Sequence, residues 1–104
     1  MLRESDIEKR VKAWAKAHGI LALKVSPAGT AGYPDDLFLF RGRVCFIEFK
    51  APGCSPRPLQ SARITDLQRR GFPVEVIDDV EHGKQFVRES FRQVGFCERP
   101  PATN

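Results

Sequence analysis

Gly32-Tyr33-Pro34-Asp35, followed by Val44-Cys45-Phe46-Ile47-Glu48-Phe49-Lys50, is the stretch on which the reading of this chain turns. On a strand, residues two apart share a face, so Glu48 and Lys50 project together while Cys45, Ile47 and Phe49 face the other way. The Gly-x-Pro-Asp turn opens one strand, Arg41-Gly42-Arg43 reverses the chain, and the resulting hairpin carries Asp35 towards Glu48. Two carboxylates with a lysine beside them suit phosphodiester hydrolysis with a hard divalent cation, which takes oxygen ligands, holds phosphate and lowers the pKa of a bound water. Lys50 would orient the nucleophile or offset charge developing on the phosphate. A plainer account of Glu48 and Lys50 is a same-face ion pair on a solvent-facing strand. The order of turn, hairpin and pair favours the site.

Outward from the hairpin the pattern is α/β. Ser5 reads as an N-cap with Glu8 three residues on, opening a helix over about residues 5–18 that Gly19 stops. Ile7, Val11, Trp14 and Ala15 share its apolar face, Glu4 and Glu8 fall within that sector, and Lys9, Lys12 and Lys16 crowd the opposite side. Glu8 either completes the capping box or serves a site, with Glu4 as its competitor for that role. Residues 20–26 read as a strand and 27–32 as a Gly-rich loop, so that three strands form a meander. The prolines of residues 51–58 make a loop, and Pro58 suits the first turn of a second helix that Gly71 stops. Gln60 at its start would face back towards the hairpin. Residues 72–78 supply another strand, and 80 to about 94 a last helix anchored by Phe86, Val87 and Phe91, its first turn weakened by Gly83. One domain over 1–96 and a mobile tail over 97–104 are expected.

Composition is consistent with that outline. A chain of 104 residues can bury one modest core. Lys and Arg outnumber Asp and Glu by 17 to 13, giving a net charge of +4 and a mild bias towards polyanionic partners. No apolar run approaches a membrane span, and the charged N-terminus does not resemble a signal peptide, so a cytoplasmic location is expected. Cys45, Cys54 and Cys97 are odd in number and lack Cys-x-x-Cys spacing, against both a disulfide framework and a zinc knuckle; Cys45 reads as core. His18 and His82 have no metal-ligand partners at useful spacing.

Lys24 to Asp35, Val44 to Pro52 and Leu59-Gln60 together resemble the virus-type replication-repair nuclease (VRR-NUC) branch of the PD-(D/E)XK nucleases, in order over residues 4–80. The resemblance implies a restriction-endonuclease-like α/β core, a central mixed sheet flanked by helices in α-β-β-β-α-β-α order. It also implies a Mg2+-dependent endodeoxyribonuclease, with Mn2+ able to substitute. It places the metal on Asp35, Glu48 and Glu8, and adds Lys50 and Gln60 to the catalytic set. Lys24, Gly32, Tyr33, Arg57 and Arg63 are the candidate nucleic-acid contacts: glycines of the loop would admit a sugar-phosphate chain, and the basic residues would meet phosphate. Small members from phages and prophages resemble Holliday-junction resolvases acting as homodimers on four-way DNA, which points to a bacterial cell and a phage or prophage origin. The last helix and its phenylalanines are candidates for the dimer surface. Flap or sequence-specific cleavage on the same scaffold, and a noncatalytic nucleic-acid-binding module, are the alternatives; the complete acid-acid-lysine set disfavours the module.

Overall fold

Cys45, Ile47 and Phe49 are fully buried on one face of their strand, whereas Phe46 and Glu48 are covered on the other, so the strand lies between two layers of helix. The computed structural model describes residues 2–25 and 31–98. It contains α1 (Glu4–Ala17), β1 (Leu21–Lys24), β2 (Asp36–Phe40), β3 (Arg43–Phe49), α2 (Pro58–Arg69), β4 (Val74–Ile77) and α3 (Val80–Phe91), with a 3-10 turn at Arg92–Val94. The sheet order is β1-β2-β3-β4. The first three strands form an antiparallel meander, and β4 joins β3 in parallel, because α2 returns the chain to the starting end of the sheet. This is the expected mixed α/β sheet flanked by helices, with its element order intact.

Strand alternation decides what each helix covers. Ile7, Val11, Trp14 and Ala15 of α1 and Val87 and Phe91 of α3 pack on Phe38, Cys45, Ile47, Phe49 and Ile77 in the main core. On the opposite face Ile64 and Leu67 of α2 meet Val74, with Tyr33, Phe46 and Val76 packed against them. Gly83, which looks like a weakness in sequence, is where α1 and α3 close: a Cβ there would lie 2.8 Å from Val11 Cγ2 and 3.2 Å from Ile77 Cγ2.

Three expectations change. Helix α1 has Arg3 at its N-cap, and the Arg3 amide donates to Asp6 Oδ2 at 3.1 Å. Ser5 therefore lies within the first turn, and Glu8 belongs to no capping box. The phenylalanines of α3 turn towards the core, Phe91 fully and Phe86 in part, which leaves Phe91 no place in a dimer surface. The chain is also held further than 96. Phe96 is buried, and Glu98 accepts hydrogen bonds from Trp14 Nε1 and Arg88 Nε, each at 2.6 Å, joining residue 98 to α1 and α3.

The hydrogen bond from Arg88, then that from Trp14, hold the Glu98 carboxyl below its ordinary value. A lowered folded pKa contributes stability above the unfolded value and loses it as pH falls through the folded one. Glu98→Gln is expected to cost up to about 1 kcal/mol at pH 7, the difference from wild type shrinking as pH falls below 4.5; a pH-independent difference in urea midpoints would contradict this. For Gly83→Ala, crowding against Val11 should outweigh the gain in helix propensity, for a net loss of about 1–2 kcal/mol. An unchanged melting temperature would mean that α1 and α3 part freely.

Candidate active site

Pro34 is buried at the end of the loop, and Asp35 follows it at the mouth of β2. The Asp35 carbonyl accepts from the Val25 amide at 2.8 Å, tying the turn to the end of β1. Its carboxylate Oδ2 accepts from the Phe49 amide at 2.8 Å. The β2–β3 ladder ends at the Asp36–Ile47 pair, so the Asp35 side chain satisfies a backbone donor that β2 has left behind.

Glu48 is almost wholly buried on β3. Its Oε2 receives Lys50 Nζ at 3.1 Å and Gln60 Nε2 at 3.0 Å. Gln60 is itself fixed, since its Oε1 accepts from the Arg57 amide at 2.9 Å and so caps α2. The other oxygen, Glu48 Oε1, is buried with no hydrogen-bond partner. Burial, then the neighbouring Asp35 charge, push the Glu48 pKa up, and Lys50 only partly offsets them. Two repelling carboxylates, one with a bare buried oxygen, form a donor set that a hard divalent cation would satisfy. Asp35, Glu48, Lys50 and Gln60 are therefore brought together as expected.

Glu8 is not part of that group. Its Oε2 lies 2.7 Å from Lys24 Nζ and 3.9 Å from Lys12 Nζ. Its other close neighbour is Asp36, fully buried on the α1 side of the sheet, where Lys12 Nζ meets Asp36 Oδ1 at 3.0 Å. Burial, then Glu8, push the Asp36 pKa to about 7. Burial also opposes the Glu8 charge, but hydrogen bonds with Asp36 and Lys24 outweigh it and lower the Glu8 pKa. The two carboxyls thus compete for a proton that burial favours on Asp36, whose Oδ2 is buried without a hydrogen-bond partner. Among the described residues no three His, Cys, Asp or Glu side chains converge as a metal cluster, so Glu8 does not join Asp35 and Glu48 as the expected triad requires. The charge pair Lys12–Asp36 was missed in sequence, although Asp36 alternates with Phe38 and Phe40 and so had to face α1.

The candidate nucleic-acid contacts separate likewise. Gly32 has φ +88°, and a Cβ would lie 2.7 Å from Leu59 Cγ and 3.2 Å from Arg63 Cγ, so this glycine lets the loop close on α2. Arg63 braces the same loop, donating from Nε to the Ala31 carbonyl at 3.1 Å, with its guanidinium 5.2 Å from the Tyr33 ring centroid. Arg57 is exposed at the start of α2, beside Gln60. Lys24 is bound to Glu8, and its pKa is raised by that bond first and also by the charges of Asp36 and Asp35. Gly29 lies outside the described residues.

A four-stranded mixed sheet carrying an acid at the start of its second strand, and an acid and lysine two apart on its third, defines a restriction-endonuclease-like α/β protein. No family model matches the chain. Over 79 residues it is 37% identical to "Putative nuclease p44" of Acyrthosiphon pisum secondary endosymbiont phage 1, covering 75% of this chain and 85% of that protein. A solved structure described as "VRR_NUC domain" superposes with a TM-score of 0.76 at 29% identity, over 85% of this chain and 97% of the other. A second, described as "VRR_NUC domain protein", shares the fold with a TM-score of 0.71 at 23% identity, over 88% and 89%. The chain belongs to the VRR-NUC family.

Magnesium added to chelator-treated protein is expected to raise the melting temperature of the wild type and not of Glu48→Gln. The gain would be about 2.7 kcal/mol at a hundredfold excess over Kd. Equal shifts in both proteins would place the cation elsewhere.

Proposed function

We propose that this protein is a Mg2+-dependent endodeoxyribonuclease that cuts branched DNA as a homodimer, a Holliday-junction resolvase working inside a bacterial cell, with Mn2+ able to replace Mg2+. The observation that carries the reading is the bare, buried Glu48 Oε1 beside Asp35, with Lys50 and Gln60 engaged on the other oxygen. The phage origin of the p44 relative and the nuclease in its name support it.

The residues divide the work. Asp35 and Glu48 would hold the cation, which when bound supplies a Lewis acid for the phosphodiester and eases ionisation of water. The Phe49 amide fixes the Asp35 rotamer, and Gln60 fixes that of Glu48. Lys50, only partly exposed, brings a positive charge beside the acids where charge develops on the phosphate. Glu8 acts at one remove, by holding Lys24 at the edge of the site. Tyr33, Arg57, Arg63 and the Gly32 turn shape the α2 side of the DNA path.

A second copy is supported by β1, an edge strand with Leu21 and Leu23 exposed. They pair with Leu39 and Leu37 of β2, which extends an apolar surface on the face opposite α1. Two copies would present two sites, as symmetric cutting of a four-way junction requires.

Labelled four-way junction, flap and linear duplex DNA, incubated with magnesium, manganese or chelator, test the proposal directly. Metal-dependent paired nicks in the junction are expected, lost by at least about a hundredfold in Glu48→Ala and Lys50→Ala while DNA binding persists. Normal turnover by either variant would overturn the site assignment, and cutting confined to flap or linear DNA would overturn the resolvase. Binding without cleavage under every metal would make the chain a noncatalytic module.

A further inference from the structure

The outer side of α1 and the end of β1 enclose a cleft of about 500 Å3 lined by Lys9, Lys12, Lys16 and Lys24, with Ala13 between the lysines and Glu8 at its inner side. Four ammonium groups thus stand against two carboxylates, Glu8 and Asp36. Lys12 and Lys24 are held in place by Asp36 and Glu8, at 3.0 and 2.7 Å. Among the described residues Lys9 and Lys16 have no carboxylate within salt-bridge distance, so their charge is uncompensated. The small Ala13 side chain keeps the cleft open between them. From Lys9 to Lys16 the helix rises about 10 Å, the span of about three phosphates of one strand along a duplex axis. The cleft also adjoins the acids: Lys24 pairs in register with Asp36 and feels the Asp35 charge.

We infer that this α1–β1 cleft is a second DNA-contact surface, in which Lys9 and Lys16 bind backbone phosphates flanking the scissile one. The inference rests on the DNA reading proposed above and extends it to a surface on the far side of the sheet from α2. Binding here is electrostatic and indifferent to base sequence, because the cleft offers ammonium groups and its one planar hydrogen-bonding side chain, Glu8, is held by Lys24. A strand whose reacting phosphate lies at Asp35 and Glu48 would be followed past Lys24 onto the lysine side of α1.

Binding of a fluorescent duplex, measured in chelator across a salt series, separates this surface from the chemistry. For the double variant Lys9→Gln, Lys16→Gln the slope of log K against log salt should be shallower by about 1.8, with affinity lower by ten- to a hundredfold at 0.1 M salt. Arg10→Gln, an exposed change on the same helix outside the cleft, serves as the comparison. Ala13→Glu, which adds a carboxylate between the lysines, should weaken binding as strongly as the double variant. An unchanged slope in the double variant, or a change in Arg10→Gln half or more of that in the double variant, would overturn the inference, the latter by making the effect one of net charge, since Arg10→Gln removes one charge and the double variant two. The nuclease reading is scored apart: DNA bound with the expected slopes but left uncut by wild type with metal would sink that reading and leave the cleft standing.

Discussion

The bond from the Phe49 amide to the Asp35 carboxylate closes the open end of the β2–β3 hairpin, and the geometry of the site follows from it. It ties an acid at the end of one strand to the backbone of the strand that carries Glu48 and Lys50. With the acid fixed, the period of two along β2 leaves Asp36 no choice but the α1 side, where it stands in register with Lys24 and Ile47. Adjacent aspartates therefore acquire different chemistry from one backbone rule: Asp35 stays at the mouth of the sheet, and Asp36 is sealed beneath a helix.

Both acids that the fold buries completely must be compensated, and the two are compensated differently. Asp36 has Lys12 on one oxygen and a buried, unpartnered Oδ2 on the other, and burial beside Glu8 raises its pKa to about 7, so protonation can discharge it. Glu48 has Lys50 and Gln60 on one oxygen and nothing on the other. Removing Glu48 from water beside Asp35 costs stability that Lys50 and Gln60 only partly offset, and such a residual cost is common at residues kept for chemistry. Glu8, by contrast, is engaged by Lys24 and Lys12 and stands beside Asp36.

Strand alternation and helical spacing made the sheet, the faces of β3 and the apolar side of α1 legible in sequence, and the hairpin placed Asp35 near Glu48. Gln60 needed the family resemblance, because a glutamine near a helix start has many uses; here its two ends cap α2 and grip Glu48 at once. The start of α1 was misread because any carboxylate three residues into a helix can accept the N-cap amide, and Asp6 does so in place of Glu8. Gly83 and Glu98 were opaque for another reason. Their partners, Val11 for one and Trp14 with Arg88 for the other, are set by how α1 meets α3, which local pattern does not encode.

Helix α1 has three working sides, and the 100° step between residues keeps them apart. One side, Ile7, Val11, Trp14 and Ala15, anchors the helix in the core. A narrow strip through Glu8 meets Asp36 and Lys24, and the outer side carries Lys9 and Lys16. The helix cannot rotate without exposing its apolar side, so burial of Ile7 and Val11 fixes the azimuth of Glu8, and Glu8 in turn fixes Lys24. Lys24 stands in the field of Asp35. Hydrophobic packing on one side of α1 thus sets where positive charge stands relative to the acids, which neither the net charge of +4 nor the count of lysines determines.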